Sequence, residues 1–432
     1  MHKVSAEQAS DILSRPIRIN GLTIRNRMVL GPMAANGPTA DGHASDQTIA
    51  FLEERARGGV GLIILGGMVS TQRGWDESRF RPVLRTDRDE FIPALAKAVT
   101  AVHALGVPII AEIAPGFGRM GVPSADRPII SASPLNLVMK SSPMMLVPGG
   151  EMTTPMPREA TVAEIKGYET EMVASAVRLK TAGFDGIEIA AMMSYFLASF
   201  LSPRTNWRTD DYGGSVENRA RIVVDMVRAI REQVGPDFVI GLRIAANDYM
   251  PDGQGPEGFL DIALEIEKAG IDYVALVYGC YEALDVTPDA DGANLIENGE
   301  ARYFRERLSV PVMMGGLHDP TLAAAAVEEG HTDLVMLARP LLADPGYAGK
   351  VTGRRIEDIV RCDRNGTCIK RLATGMPIRC TRNDRMGRES RKPGAIPPID
   401  RILKAPIEEI ALKALGSKTL MNVAGKFMTT PD

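Results

Sequence analysis

The sequence predicts an α/β protein, a closed (β/α)8 TIM barrel with an N-terminal β-hairpin cap and a short C-terminal extension. Three observations lead there. Eight short apolar runs recur along the chain, helix-period segments fill the gaps, and several segments end in glycine just before the next run. The runs are Met28–Met33, Gly61–Leu65, Pro108–Ile113, Gly186–Ala190, Val239–Ile244, Tyr273–Tyr278, Val310–Met314 and Leu334–Leu337. Each is continuous rather than alternating, as expected of parallel strands buried on both faces. The clearest helical spacers are Glu90–Ala104, Thr161–Ala182, Ser215–Gln233, Pro256–Ala269 and Pro320–Glu329. Gly106, Gly183, Gly270 and Gly330 follow as C-caps, where a left-handed backbone is unstrained without a Cβ. Repeated βα units favour closure. An open doubly wound sheet with a second domain is the structural alternative.

Ahead of the first run, Ile17–Ile24 alternates on both sides of Asn20-Gly21, a hairpin signal. A two-residue primed turn there calls for positive φ at both central residues.

Composition narrows the function classes. The 432 residues are 45% hydrophobic and 24% charged, ordinary for a globular enzyme. A net charge of −4 argues against nucleic acid or an anionic membrane as the main partner. No apolar run is long enough to span a bilayer. The first residues carry Glu7 and Asp11 and lack a signal-peptide layout, so the cytoplasm is expected. Three of the four cysteines, Cys362, Cys368 and Cys380, cluster late in the chain and read better as a metal site or its remnant than as a disulfide framework. The expected organisation is a barrel over 1–355, a cysteine-containing segment over 356–390, and a partly helical extension over 391–432.

Barrel chemistry gathers at the C-terminal ends of the strands. The first run ends in Pro32-Met33-Ala34, the third in Glu112, the fifth in Arg243, the seventh in Gly315-Gly316, and the eighth in Ala338-Arg339. Gly315, Gly316, Ala338 and Arg339 offer backbone donors and a cation at the usual barrel phosphate site. Arg243 closes a buried strand, so its guanidinium needs an anionic or strongly polar partner, a ligand or a structural ion pair. After the fourth run come Tyr195, Phe200-Leu201-Ser202-Pro203, and Asn206 to Arg219 with Tyr212-Gly213-Gly214. The motif Gly116-Phe117-Gly118-Arg119-Met120-Gly121 has a dinucleotide-loop spacing, but prolines follow where a helix should open, and that reading is rejected.

With these residues in place, the chain resembles the old yellow enzyme family, and within it the 2,4-dienoyl-CoA reductase and trimethylamine dehydrogenase branch, from about Arg15 to Asn383. The resemblance is carried by the stretch from Phe200 to Arg219 and by the Arg339–Pro345 run. It implies bound FMN, with NAD(P)H as electron donor. It places Pro32, Met33, Ala34 and Gly67 along the flavin ring, Arg243 at its N1/C2=O edge, and Gly315, Gly316, Ala338 and Arg339 at the phosphate. The family usually has Gln where Glu112 stands; a carboxyl can accept from N3–H but donates only when protonated. The resemblance makes Tyr195 the acid that protonates the substrate α-carbon after hydride reaches the β-carbon. The residues that usually grip a substrate carbonyl are replaced by Ala190 and Met193. Tyr281, beside Cys280, stands where the dienoyl-CoA reductases have a histidine. The resemblance also implies a [4Fe–4S] cluster at Cys362, Cys368 and Cys380, although Arg364 replaces one ligand and the loop is one residue short. Larger relatives continue into nucleotide-binding domains; here about 45 residues follow, and direct flavin reduction by NAD(P)H at the barrel mouth is expected.

Met139, Met144, Met145, Met152 and Met156 in the Gly121–Arg158 loop, with Met192 and Met193, suggest an adaptable apolar pocket. The leading expectation is therefore reduction of an activated C=C bond in a bulky hydrophobic enone or enoyl compound. The alternatives are an amine or C–H dehydrogenase and a non-catalytic flavoprotein. A small hydrophobic substrate and NAD(P)H are the expected partners, and a homo-oligomer is allowed.

Overall fold

The computed structural model describes residues 2–391 except 35–36, 80, 142–146, 148–149, 285–292 and 374–375, together with Ile410 and Ala414. The expected C-terminal extension thus lies almost wholly outside the described residues, as do Met144 and Met145.

All eight apolar runs become barrel strands: β1 (Met28–Leu30), β2 (Leu62–Val69), β3 (Ile109–Ala114), β4 (Gly186–Ala191), β5 (Val239–Ala245), β6 (Tyr273–Val277), β7 (Val312–Gly315) and β8 (Leu334–Leu337). Neighbours pair in parallel around the ring, and β8 returns to β1 through Val335↔Met28, Met336↔Val29 and Leu337↔Leu30. Closure rules out the open-sheet alternative. Helices Val162–Thr181, Val216–Val234, Pro256–Glu267 and Pro320–Glu328 form where the spacing placed them. Glu90–Ala104 resolves into a 3-10 turn followed by Ile92–His103. Gly106, Gly183, Gly270 and Gly330 all have positive φ, as expected of helix-terminating glycines.

The barrel interior has an apolar bottom. Val29, Leu62, Ile64, Ile110, Val239 and Leu334 fill it, and Ile19 and Ile24 of the N-terminal hairpin plug it from below. The hairpin is antiparallel with Ile19 opposite Leu22. Its turn departs from the primed type: Asn20 is left-handed at φ 51, but Gly21 is not. Packing against the barrel bottom therefore sets this hairpin's geometry more than its turn sequence does.

The cysteine-containing segment docks on the outside of the barrel. Arg55, on helix Asp46–Arg57, is fully buried and sits 2.7 Å from Glu389. It also donates to the Leu341 carbonyl at 3.2 Å. Asn383 donates to Leu342 O at 2.9 Å and Arg385 pairs with Glu54 at 3.0 Å. Removing one member of a buried pair strands the other charge. Arg55→Met should lower unfolding free energy by about 3–5 kcal/mol and open residues 376–391 to protease. Adding Glu389→Leu should recover much of that loss. Denaturant unfolding reads both, and a single variant as stable as the parent would show that the pair does not anchor the segment.

Candidate active site

The C-terminal strand ends enclose a cavity of about 170 Å³. Pro32, Met33 and Ala34 follow β1, Gly67 ends the straight part of β2, and Glu112, Ala190 and Arg243 come from β3, β4 and β5. Tyr195 and Tyr281 enter from the loops after β4 and β6. The loop after β1 packs directly on β2. A Cβ at Gly66 would lie 2.2 Å from that of Pro32, and one at Gly67, whose φ is +73, would lie 3.1 Å from Ala34. Glycine at both positions lets Pro32, Met33 and Ala34 sit against the strand and form one wall of the cavity with Gly67.

The tyrosines form one unit. Their hydroxyl oxygens are 2.9 Å apart, so either can donate to the other. Phe117 packs edge-on to Tyr195 with ring centroids 5.4 Å apart. Burial, then the neighbouring Tyr281 phenol, keeps the Tyr195 hydroxyl protonated well beyond the ordinary phenol range. Burial pushes Tyr281 up to about 12, against the opposing hydrogen bond from Tyr195. Both are neutral donors at physiological pH.

Local backbone aims them. Met193 and Ser194 precede Tyr195 in consecutive left-handed conformations, φ 60 and 75, which side-chain-bearing residues adopt only when surroundings hold them. Gly118 makes room, since a Cβ there would meet the Phe196 backbone at 2.7 Å. Of the glycines in the rejected dinucleotide motif, Gly118 thus serves close packing of the Tyr195 loop, whereas Gly116 and Gly121 abut Glu77. Ser194 Oγ accepts the Tyr281 backbone N–H at 3.3 Å, tying the two loops together. Glu282, beside Tyr281, is gripped by Arg119 at 2.6 and 3.0 Å and by Arg204 at 3.1 and 3.2 Å. Sequence reasoning missed Ser194, Glu282 and Arg119; Glu282 as the sole acid in the Gly279–Ala283 turn was the one available signal.

Beneath the cavity lies a charged floor. Arg243 Nε is 2.8 Å from Glu188 and 3.1 Å from Glu112, and Tyr273 donates to the other Glu188 oxygen at 3.0 Å. Arg243 therefore makes the cross-barrel ion pair while also lining the cavity. Glu188 and Tyr273 were read from the sequence only as strand residues. Burial pushes Glu112 up to about 7, with Arg243 opposing and the Glu188 charge adding to the rise.

Other expected residues fall elsewhere. Met193 and Cys280, expected in the substrate pocket, line a smaller space behind the tyrosines with Ser194 and Arg204. Cys280 Sγ points at the Asp248 carbonyl, 3.6 Å away, and burial pushes its thiol up to about 12. Met139 and Met152 pack near Tyr281 and Phe117, whereas Met156 is 61% exposed and is not among the residues lining this cavity. Phe117, Val83, Met192 and Leu372 complete the apolar wall instead. Gly315 ends β7 and Arg339 opens the short helix after β8, so the two strand ends stand side by side. A Cβ on Gly315 would meet only one atom within 4 Å, and Gly316 has φ +93, which leaves main chain approachable there.

The metal reading of Cys362, Cys368 and Cys380 gains no support. Among the described residues, no group of three or more His, Cys, Asp or Glu is arranged to hold a metal ion. Three thiols, with Arg364 where another ligand would stand, fall short of the four thiolates such a cluster takes, so these residues do not fit an iron–sulfur cluster.

Replacing Tyr195 by Phe should cost about 0.5–1.5 kcal/mol of stability and raise the pH at which Tyr281 ionises, because the donated hydrogen bond stabilises its phenolate. Phenolate absorbance during alkaline titration checks the second effect. An unchanged Tyr281 titration would mean that the pair is not coupled.

Comparison with known proteins places this geometry. Residues 13–358 match the family model described as NADH:flavin oxidoreductase / NADH oxidase. An NADH oxidase of Thermoanaerobacter brockii is 35% identical over 380 residues, covering 86% of this chain and 56% of the relative. A structure of 2-naphthoyl-CoA reductase with 2-naphthoyl-CoA superposes with a TM-score of 0.77 at 28% identity, covering 88% of this chain and 58% of the other. Histamine dehydrogenase from Rhizobium sp. 4-9 gives 0.75 at 27% identity, covering 88% and 53%. This chain therefore spans just over half the length of each of these proteins. Its eight-stranded barrel and the matched residues make it a member of the NADH:flavin oxidoreductase / NADH oxidase family, the old yellow enzymes.

Proposed function

We propose that this protein binds FMN in the strand-end cavity and reduces an activated C=C bond of a bulky, hydrophobic substrate, with NAD(P)H as electron source. The observation that carries this reading is the Tyr195–Tyr281 phenol pair facing Arg243 and Glu112 across one cavity. The residues fit the cofactor. The wall of Pro32, Met33, Ala34 and Gly67 would lie along the ring, the Glu112 Oε2 atom is buried without a hydrogen-bond partner, and Gly315, Gly316, Ala338 and Arg339 would hold the phosphate.

When bound, FMN supplies hydride to the substrate β-carbon. The protein's own residues do the rest. Arg243 places a fixed positive charge beside the ring's polar edge. Tyr195 delivers its phenolic proton to the substrate α-carbon, and Tyr281, 2.9 Å away, stabilises the oxygen left behind by donating to it. A phenol suits this role because burial keeps it protonated until substrate arrives. Phe117, Met192 and Leu372 favour an apolar substrate and exclude water.

The similarity to histamine dehydrogenase supports a second reading, oxidation of an amine. That chemistry calls for an aromatic bowl around a cation. Neither Trp75 nor Trp207 belongs to the cavity wall; its aromatic rings are Phe117, Tyr195 and Tyr281, two of which are the phenols the first reading uses as proton donors.

Anaerobic mixing of photoreduced protein with hydrophobic enones should reoxidise the flavin, while amines should leave oxidised flavin unbleached. Tyr195→Phe should slow the enone half-reaction by about 10²–10⁴-fold without slowing flavin reduction. Bleaching by amines, or an unaffected half-reaction in the variant, would overturn the assignment.

A further inference from the structure

The barrel floor contains an unbalanced charge. Glu112 on β3 and Glu188 on β4 are register partners and face the interior together. A single guanidinium, Arg243, serves both. It is not shared evenly. Arg243 Nε donates to Glu188 at 2.8 Å, and Tyr273 donates to the second Glu188 oxygen at 3.0 Å, so that carboxylate is satisfied. A second Arg243 nitrogen donates to Met336 Sδ at 2.8 Å rather than to Glu112. Glu112 Oε2, though 3.1 Å from Arg243, has no hydrogen bond of acceptable geometry.

Among the described residues, Arg243 is the cation that acts on Glu112. The groups that bear on Glu112 are the Gly67 backbone amide on β2, Glu188 on β4, Arg243 on β5, Tyr273 on β6, and the phenols of Tyr195 and Tyr281 above. Burial keeps all three phenols neutral. Two buried carboxyls against one positive charge retain a proton, and it resides on the carboxyl that keeps an oxygen, Oε2, with no hydrogen-bond donor. That carboxyl is Glu112. Its ordinary ionisation lies well below neutrality, but burial raises it to about 7, so the proton is lost as pH rises through that value.

Glu112 and Arg243 are the charged side chains of the cavity wall. The polar end of an isoalloxazine is its pyrimidine edge, the edge these two side chains would hold. A hydride from NAD(P)H, two electrons and one proton, leaves one added negative charge on the ring and yields NAD(P)⁺. Resting on the FMN reading above, we propose that Glu112 is a redox-positioning residue whose retained proton makes it a hydrogen-bond donor to the flavin and couples flavin binding and reduction to pH near neutrality. The neutral carboxyl then does what an amide would do at that position. The carboxylate withdraws the donor and repels the reduced ring.

The test compares wild type with Glu112→Gln, whose amide is a donor at every pH. FMN affinity is read by fluorescence quenching and the midpoint potential by reductive dye titration, from about pH 5.5 to 9. The two proteins should agree at the acid end. Above neutrality the wild type should bind FMN more weakly than the variant, by about tenfold near pH 9, and its potential should fall more steeply. Infrared difference spectra of the flavin-free wild type should show a carboxyl C=O band disappearing around neutral pH. Parallel pH profiles in two proteins that both bind FMN would overturn the proposal, as would absence of that carboxyl band. Failure of the wild type to bind FMN at any pH would overturn the FMN reading and this coupling with it. The infrared band would then show separately whether Glu112 keeps its proton.

Discussion

The pairing of β8 with β1 is the constraint on which the rest of the structure depends. Three register pairs, Val335↔Met28, Met336↔Val29 and Leu337↔Leu30, convert a parallel sheet into a ring. Closure gives the interior a top and a bottom. The bottom is sealed by apolar residues and the hairpin side chains Ile19 and Ile24. The top opens into a cavity in which Glu112, Arg243 and two phenols stand beside an apolar wall. Closure also brings Pro32, from the start of the barrel, beside the loops at its far end, which no open sheet of this strand order would do.

Once the ring is closed, charged residues on its inner face cannot escape to water. This explains why Arg243, Glu188, Glu112 and Tyr273 occur together. Tyr273 crosses the space left by Gly241, where a Cβ would lie 2.1 Å from the tyrosine ring. From there its hydroxyl reaches Glu188. A buried ion pair of this kind is weak evidence for stability, since desolvation offsets most of the attraction. Its better-supported consequence is a fixed positive charge with an adjacent titratable carboxyl at the base of the cavity.

Above that floor, the reactive geometry is held by backbone. Consecutive left-handed residues Met193 and Ser194 turn Tyr195 into the cavity, and Gly118 admits the loop. The Tyr281 turn is fixed from outside by Glu282 between two arginines. The two phenols are placed by separate anchors and meet at hydrogen-bond distance. Sites supported in this way hold their donors without reorganisation when charge develops.

Strand and helix positions were legible from the sequence because they depend on local periodicity. Continuous Val, Ile, Leu and Met runs mark strands buried on both faces, and the glycines at 106, 183, 270 and 330 mark helix ends. Strand-end position also singled out Arg243, Glu112, Pro32 and Tyr195, because barrel geometry directs those residues to one rim. What lay beyond the sequence was which distant residues meet. Tyr195 and Tyr281 are 86 residues apart, and Arg55 and Glu389 are 334 apart. No local pattern encodes such a pairing. The Asn20-Gly21 turn shows the same limit, for a strong local signal yielded to packing against the barrel bottom. Met193 and Cys280 were near the right place in sequence, yet both line the smaller space behind the phenols, Met193 within the left-handed turn at 193–194 and Cys280 with its Sγ toward the Asp248 carbonyl. The sequence by itself determined the barrel and the rim residues, since both follow from local periodicity and strand polarity. Only the tertiary structure decided that two phenols share a hydrogen bond and that two carboxyls share one guanidinium, since both require ring closure to bring separate strands and loops together.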